Sequence, residues 1–262
     1  MKVYFEDGTS WVEPHFQMKF LKLDNWLVEE YCKINVKIVE ELVDLLIAFV
    51  QKTIKPIDFF EKCITYRIAF REIPENNVKL DNFQFDPSLG VTIVPMTKSR
   101  VKAIIENPES RRKYVKFLKT MIVHEDTHKQ QFDRYEGYNK DYKIPGELNF
   151  AKELSQQNIV YFSQTIEADA YGRQFGEALL QEYPNNTAYW IFEKLIEGEI
   201  STSMDEIVEI YRNDRVSKKA FKHFWRACYD YLVTEESTKG ESYGNLNEVY
   251  EMLVKKKIRK HS

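Results

Sequence analysis

The sequence contains little cysteine. Its 262 residues include only Cys32, Cys63 and Cys228, and no two of these have C-x-x-C spacing. An odd number of cysteines without that spacing excludes a disulfide framework and a zinc knuckle built from paired thiolates. The cysteine usage favours a reducing compartment, so we expect a cytoplasmic protein.

Long apolar runs are also missing. The longest, at residues 45–50, is far shorter than the roughly 20 residues that cross a bilayer. Near the N-terminus, Glu6 and Asp7 occupy positions where a signal peptide needs apolar residues. We therefore expect neither a membrane partner nor a secretion signal.

Charge of one sign is not in excess. Lys and Arg number 38 against 41 Asp and Glu, which gives a formal net charge of -3. No global positive field therefore favours nucleic acid as a partner. The basic residues at 255–260 are interpreted as a solvated tail, with phosphate binding as the alternative.

The sequence is poor in glycine and proline, with 9 Gly and 8 Pro, and rich in aromatics, with 17 Phe and 16 Tyr. Few turn residues favour long helices over a many-stranded sandwich, and the aromatic content excludes a disordered chain. Apolar periodicity predicts helices at 35–53, 108–135, 158–182 and after 187, and strands at 63–70, 80–85 and 91–95.

These patterns predict an α+β fold that is predominantly helical, with a small mixed β-sheet. We expect two domains, a catalytic core over residues 1–183 and a C-terminal helical region over 184–262. The aromatic segment at 1–33 is either a lid over a cleft or an arm that covers the core.

The predicted helix at 108–135 contains an HExxH motif at His124, Glu125 and His128. Residues four apart lie one turn above each other on a helix, so both imidazoles can bind one ion. Glu125 projects from an adjacent angle, where its carboxylate can act as general base toward a water molecule. The motif predicts a metal-dependent hydrolase.

The helix face supports an inward direction for the two histidines. Phe117, Met121, His124, His128 and Phe132 fall within one arc of the predicted helix, so the imidazoles continue an apolar stripe. The alternative is a pair of core histidines satisfied by hydrogen bonds alone. Two such groups buried one turn apart need partners, which a metal supplies.

A catalytic zinc site usually has three protein ligands and one open position. Glu167, on the next predicted helix, is the candidate for the third ligand, because an antiparallel return of the chain brings that helix back to the motif. The small residues Ala168 and Ala170 permit close helix packing. Asp169 is rotated about 200° from Glu167 and should face elsewhere.

His124-Glu125-x-x-His128 followed by a helical Glu167-x-x-Ala170 resembles the gluzincin branch of the zincin metallopeptidases, especially the small ImmA/IrrE-type proteins of bacteria and phages. The resemblance covers roughly residues 92–180. It implies zinc held by His124, His128 and Glu167, with Glu125 as the base, and an edge strand that aligns a peptide substrate, either 91–95 or 63–70. Tyr171 departs from the Asn or Asp often found four residues after the ligand Glu.

Other zincin branches fit the sequence less well. The metzincin extension requires Gly and His where Gln131 and Arg134 stand, so it is excluded. Peptide deformylase pairs HExxH with a cysteine ligand, and the segment around Cys63 resembles its cysteine segment faintly. A small buried apolar residue is the simpler interpretation of Cys63.

Amide hydrolysis also needs a donor for the oxyanion of the tetrahedral intermediate. The candidates are His223, on a downstream helix, and Tyr171, with Tyr161 as a further competitor. Each could instead be an aromatic or histidine side chain that packs in the core with one hydrogen bond.

The sequence thus predicts a zinc metallopeptidase with a peptide or protein substrate, in a bacterial or phage-infected cell by analogy with the family it resembles. The alternative is a noncatalytic binding or assembly protein that keeps the zinc site as a structural element and uses the helices after Tyr189 as its interface. Nothing in the sequence indicates the oligomeric state.

Overall fold

A computed structural model describes residues 36–75, 83–86, 91–134, 159, 161–212 and 216–237. Over these residues the fold is predominantly helical with one small mixed sheet, as predicted. The predicted N-terminal aromatic segment and basic tail lie outside them. The elements are α1 (Val36–Val50), α2 (Pro56–Thr65), β1 (Ile68–Glu72), β2 (Gln84–Asp86), β3 (Val91–Met96), α3 (Lys98–Glu106), α4 (Pro108–Arg134), α5 (Thr165–Glu182), α6 (Ala188–Glu197), α7 (Asp205–Arg212) and α8 (Lys218–Ser237).

By its internal contacts the chain divides into two compact units, residues 1–129 and 130–262. The boundary falls within α4, which is one continuous helix. The predicted domains, 1–183 and 184–262, stay a prediction, because a division by contacts does not show which segments fold independently.

The sheet of the first unit has the strand order β1-β3-β2. β1 runs parallel to β3, with Phe70 opposite Val94, and β2 runs antiparallel to β3, with Phe85 opposite Thr92. Of the two segments predicted as the edge, 91–95 is paired on both sides and is not an edge, whereas the strand in 63–70, which is β1, is one among the described strands. Among the described strands, β1 and β2 are the edges.

The predicted strand at 63–70 is only half correct. Residues up to Thr65 belong to α2, and the strand begins at Ile68. The apolar face of α2 places Phe59 and Cys63 one turn apart in the core of the first unit, together with residues of α1, β1, β3 and α4. Cys63 therefore lies four residues after Phe59 on one face of a helix, whereas the sequence suggested the two-residue alternation of a strand.

In the second unit, α5 packs closely against α8. A Cβ atom at Gly172 would lie 2.3 Å from the carbonyl oxygen of Phe224, and one at Gly176 would lie 3.1 Å from that of Cys228. At Gly172 a Cβ atom would overlap the facing carbonyl, so this approach of the two backbones requires glycine there. The shared core is aromatic, with Phe175 stacked on Phe224 and Phe224 stacked on Tyr211.

No helix in the described part of the chain combines the length and the apolar character that a bilayer crossing requires.

Candidate metal centre

The helix α4 carries the HExxH motif and begins as the sequence predicts. The side chain of Asn107 caps it, because its Oδ1 accepts from the backbone N–H groups of Glu109 at 2.8 Å and Ser110 at 3.1 Å. Pro108 occupies the first helical position and lacks an N–H that would need a partner. These signals fix the start of the helix and therefore the face on which the motif lies.

Two contacts hold α4 against the sheet of the first unit. The hydroxyl of Tyr114 donates to the sulfur of Met96 in β3 at 2.8 Å. Further along the helix, the backbone N–H of Phe85 in β2 donates to Oε2 of Glu125 at 2.7 Å. The motif is thus fixed against the edge strand β2 by its own glutamate.

The two histidines of the motif are buried and converge. Their exposed fractions are 4% for His124 and 6% for His128, and their Nε2 atoms lie 3.1 Å apart. Two imidazole ligands of a tetrahedral zinc ion, each at about 2.05 Å, have their nitrogens roughly 3.3 Å apart. The spacing in the structure therefore suits two nitrogens that share one cation.

Glu167 completes the group predicted from the sequence. It lies in the first turn of α5 and is 1% exposed. One ligand atom each from His124, His128 and Glu167 lie within 4.8 Å of one another, so this buried group could hold a metal ion. The amide Nε2 of Gln131, in the last turn of α4, donates to the carbonyl of Ile166 at 3.0 Å and ties the start of α5 to α4.

The side chains of His124, His128 and Glu167 are chemically suited to bind a divalent cation. Two neutral imidazoles and one carboxylate are ligands that zinc accepts in catalytic sites, and three protein ligands leave one position open. Burying a carboxylate beside two histidines is costly unless a charge partner compensates it, which a cation does. The chemistry of the group thus fits a metal, although it does not by itself identify which one.

The candidate base Glu125 is 5% exposed, and one of its carboxylate oxygens accepts a hydrogen bond from the backbone N–H of Phe85. This backbone contact was not predicted, and no pattern in the sequence signals it, because the donor is a main-chain group 40 residues away. One oxygen is therefore oriented by the edge strand, while Glu125 stays a predicted base.

Tyrosines surround the carboxylate of Glu167. The hydroxyl of Tyr161 hydrogen-bonds Glu167 and Tyr171, and burial, with the nearby negative charge of Glu167, raises the pKa of Tyr161 well above its ordinary value. The rings of Tyr161 and Tyr171 meet edge to face at 6.3 Å. Tyr161 thus positions the predicted ligand, and the role of Tyr171 as an oxyanion donor stays a prediction.

His223 lies on α8 and pairs with Asp169 of α5, with 2.9 Å between Nδ1 and Oδ1. Burial raises the pKa of Asp169, and the contact with His223 lowers it in part. Asp169 is rotated about 200° from Glu167 on α5. As expected, Asp169 is not part of the group formed by His124, His128 and Glu167, and its side chain contacts His223 of α8 instead.

Two further predictions concern single side chains. Cys63 lies in the apolar core, where burial raises the pKa of its thiol to about 12, and it is not part of the group formed by His124, His128 and Glu167. Phe117 was predicted to lie inward with the histidines, but it is 45% exposed. Its ring meets that of Phe83 edge to face, with 5.6 Å between the ring centroids. The side chain of Phe132 lies outside the described part.

Comparisons with family models, with curated proteins and with solved structures give no match for this chain.

Proposed function

We propose that this protein is a zinc metallopeptidase in which His124, His128 and Glu167 hold the ion and Glu125 is the general base. The observation that carries the proposal is the buried group of two imidazoles and one carboxylate on α4 and α5, with a second buried carboxylate adjacent in the motif. A structural site needs no such additional carboxylate beside its ligands, whereas hydrolysis requires a base there.

A bound zinc ion would polarise the scissile carbonyl and make water acidic enough to lose a proton near neutral pH. Glu125 takes the proton of the attacking water and later passes it to the leaving amine. The hydrogen bond from Phe85 N–H fixes Oε2 of Glu125. Because this contact orients the carboxylate in advance, Glu125 does not need to be oriented at the moment of reaction.

The substitution Glu125→Gln tests the proposal, since it keeps the size of the side chain and removes its ability to accept a proton. With fluorescein-labelled casein and a quenched-fluorescence peptide library as probes, we expect hydrolysis to fall by at least about 100-fold. Zinc content per chain and the melting temperature should stay near those of the wild type.

The matched control is Asp126→Asn, which removes the neighbouring carboxylate of the motif. Asp126 lies about 200° from His124 on α4, away from the metal-binding face, so this variant should keep its hydrolysis. Equal hydrolysis by wild type and Glu125→Gln would refute the base assignment. Zinc binding without hydrolysis in the wild type would favour the noncatalytic alternative with a structural zinc.

A further inference from the structure

Tyr211 on α7 has a buried hydroxyl that no side chain satisfies. The residue is 0% exposed, and nothing in the described part of the chain donates to or accepts from its hydroxyl. A hydroxyl that leaves water without gaining another hydrogen bond lowers the stability of the folded chain. Phenylalanine would fill the same space without that cost, so we expect the hydroxyl to have a partner other than a side chain.

Aromatic rings fix the position of this hydroxyl. The ring of Tyr211 stacks on Phe224 with 4.2 Å between the centroids, and it meets Phe162 edge to face at 6.0 Å. The ring of Tyr171 on α5 lies 6.3 Å away. Because the ring of Tyr211 is buried among these neighbours, its hydroxyl cannot turn toward solvent.

The surroundings of the hydroxyl include the predicted ligand Glu167. Burial, followed by the nearby Tyr171 and Glu167, raises the pKa of Tyr211 well above its ordinary value. The same two residues hydrogen-bond the hydroxyl of Tyr161. Three tyrosines therefore lie around one carboxylate, and we call Tyr161, Tyr171 and Tyr211 the tyrosine group.

The supply of hydrogens gives a direction to the hydrogen bonds of the tyrosine group. A hydroxyl has one hydrogen to donate, and a carboxylate can only accept. Tyr161 therefore donates to Glu167 and accepts from Tyr171. Because Tyr171 uses its hydrogen in this way, its oxygen can act toward Tyr211 only as an acceptor. Tyr211 can supply the donor at the far end of a chain that leads to Glu167.

We propose that Tyr211 is a positioning residue for Glu167, and that one bound water carries its hydrogen bond to Tyr171. The inference rests on the metal centre of the proposed function. No direct hydrogen bond joins Tyr211 to Tyr171. A water that accepts from Tyr211 and donates to Tyr171 joins them, as buried waters do between polar groups that lack other partners. Hydrogen bonds in such a chain polarise one another, so loss of the first weakens the last.

The test is a double-mutant cycle on zinc affinity, measured on the full chain by competition with a chromophoric chelator. Tyr211→Phe removes only the hydroxyl and should weaken zinc binding by about tenfold, the lower end of the range for contacts that support a ligand. In the Tyr171→Phe background it should have no further effect, because the connection to Glu167 is already broken. A tyrosine with a merely structural role would act equally in both backgrounds.

Tyr229→Phe is the matched control. Tyr229 is 3% exposed on α8, and its ring meets Phe192 edge to face at 5.1 Å in the same aromatic core. This variant should keep the zinc affinity of the wild type.

A second measurement does not depend on the metal. In the chelator-treated chain, Tyr211→Phe should lower the midpoint of urea denaturation, because the hydroxyl has a bound partner. A hydroxyl without a partner would give the opposite sign, since its removal takes an unsatisfied polar group out of the core.

Three results would overturn the role of Tyr211: an unchanged zinc affinity in Tyr211→Phe, an equal loss in the Tyr171→Phe background, or a higher urea midpoint of the metal-free variant. Its failure is distinct from failure of the proposed function. Zinc binding and Glu125-dependent hydrolysis with an unaffected Tyr211→Phe variant would refute the positioning role alone. A wild type that binds no zinc would refute the metal centre, and the positioning of its ligand with it.

Discussion

Two glutamates on the same helix show what separates a candidate metal ligand from a structural carboxylate. Glu167 and Glu177 both lie on α5 and are each 1% exposed. Glu177 accepts from the hydroxyl of Tyr231 at 2.6 Å and from the amide of Gln181 at 2.7 Å, one bond to each oxygen. Glu167 instead lies beside the two imidazoles of the HExxH motif.

Burial alone therefore does not mark the site. Two neutral donors contact Glu177, and the one from Tyr231 joins α5 to α8. For Glu167, the neighbouring groups include two nitrogens that bind cations when they are neutral. Each glutamate is followed by alanine, so this small neighbour does not distinguish the two residues. The side chains that contact each carboxylate make the difference.

The largest predicted effect concerns Glu167, and it is the loss of thermal stability when the metal is removed. A chelator should lower the melting temperature of the wild type, because an ion bound to the folded chain alone stabilises it by about 4 kcal/mol at a thousandfold excess over its Kd. Differential scanning calorimetry measures the shift. His128→Ala should melt at the same temperature with and without chelator, while Glu177→Gln should still respond to it. A wild type that ignores the chelator would contradict the metal centre.

Tyr161→Phe should weaken the metal centre without unfolding the chain. The hydroxyl of Tyr161 hydrogen-bonds Glu167, and loss of such a supporting contact typically costs 10- to 100-fold in metal affinity, so we expect about that loss here. Competition with a chromophoric chelator measures the affinity. An unchanged zinc affinity would show that Glu167 needs no support from Tyr161, or that it is not a ligand.

Tyr231→Phe is the counterpart on the Glu177 side, and its effect should be on stability alone. The variant removes the donor to Oε2 of a buried carboxylate, which costs about 1–3 kcal/mol of the free energy of unfolding. Urea denaturation gives the loss, and the zinc affinity should match that of the wild type. If zinc affinity fell while stability held, the roles of the two glutamates would be reversed.

Asp169 also lies on α5, and its replacement should have the smallest effect on stability. Burial raises the pKa of Asp169, which the contact with His223 and the charges of Arg173 and Arg226 lower only in part. The folded chain therefore holds this proton more tightly than the unfolded chain, so its stabilising contribution is lost as pH rises above about 4.

Asp169→Asn cannot titrate, so the stability of wild type relative to this variant should fall between pH 3 and pH 6. The pair is partly exposed, and solvent screening should keep the change below about 1 kcal/mol. Urea denaturation at several pH values measures it. A wild type that instead gains stability over the variant as pH rises would contradict the direction given for the pKa.

Much of the helix that carries the HExxH motif could be predicted because its signals are local. Asn107 and Pro108 mark the start of α4, and the four-residue spacing of His124 and His128 fixes their shared face. Glu167 was predictable for a different reason, since a ligand of suitable chemistry stood on the next strongly helical segment. The structure brings these three residues together.

The rest depends on groups that the sequence does not display. Ile64, Tyr66, Ile68 and Phe70 alternate as in a strand, but α2 extends to Thr65, and short apolar runs fit either period. Strand order decides which strand is an edge, and no local pattern records it. The contact between Phe85 and Glu125 uses a backbone N–H, which every residue except proline possesses.

The most direct test of the central claim is the zinc content per chain, measured by elemental mass spectrometry on wild type, Glu167→Ala and the control Glu177→Ala. All three should be purified without added zinc and then offered one equivalent. The metal centre predicts close to one zinc per chain in wild type and in Glu177→Ala, and a marked loss in Glu167→Ala. Wild type that stays free of metal after zinc is offered, or equal zinc in all three proteins, would contradict it.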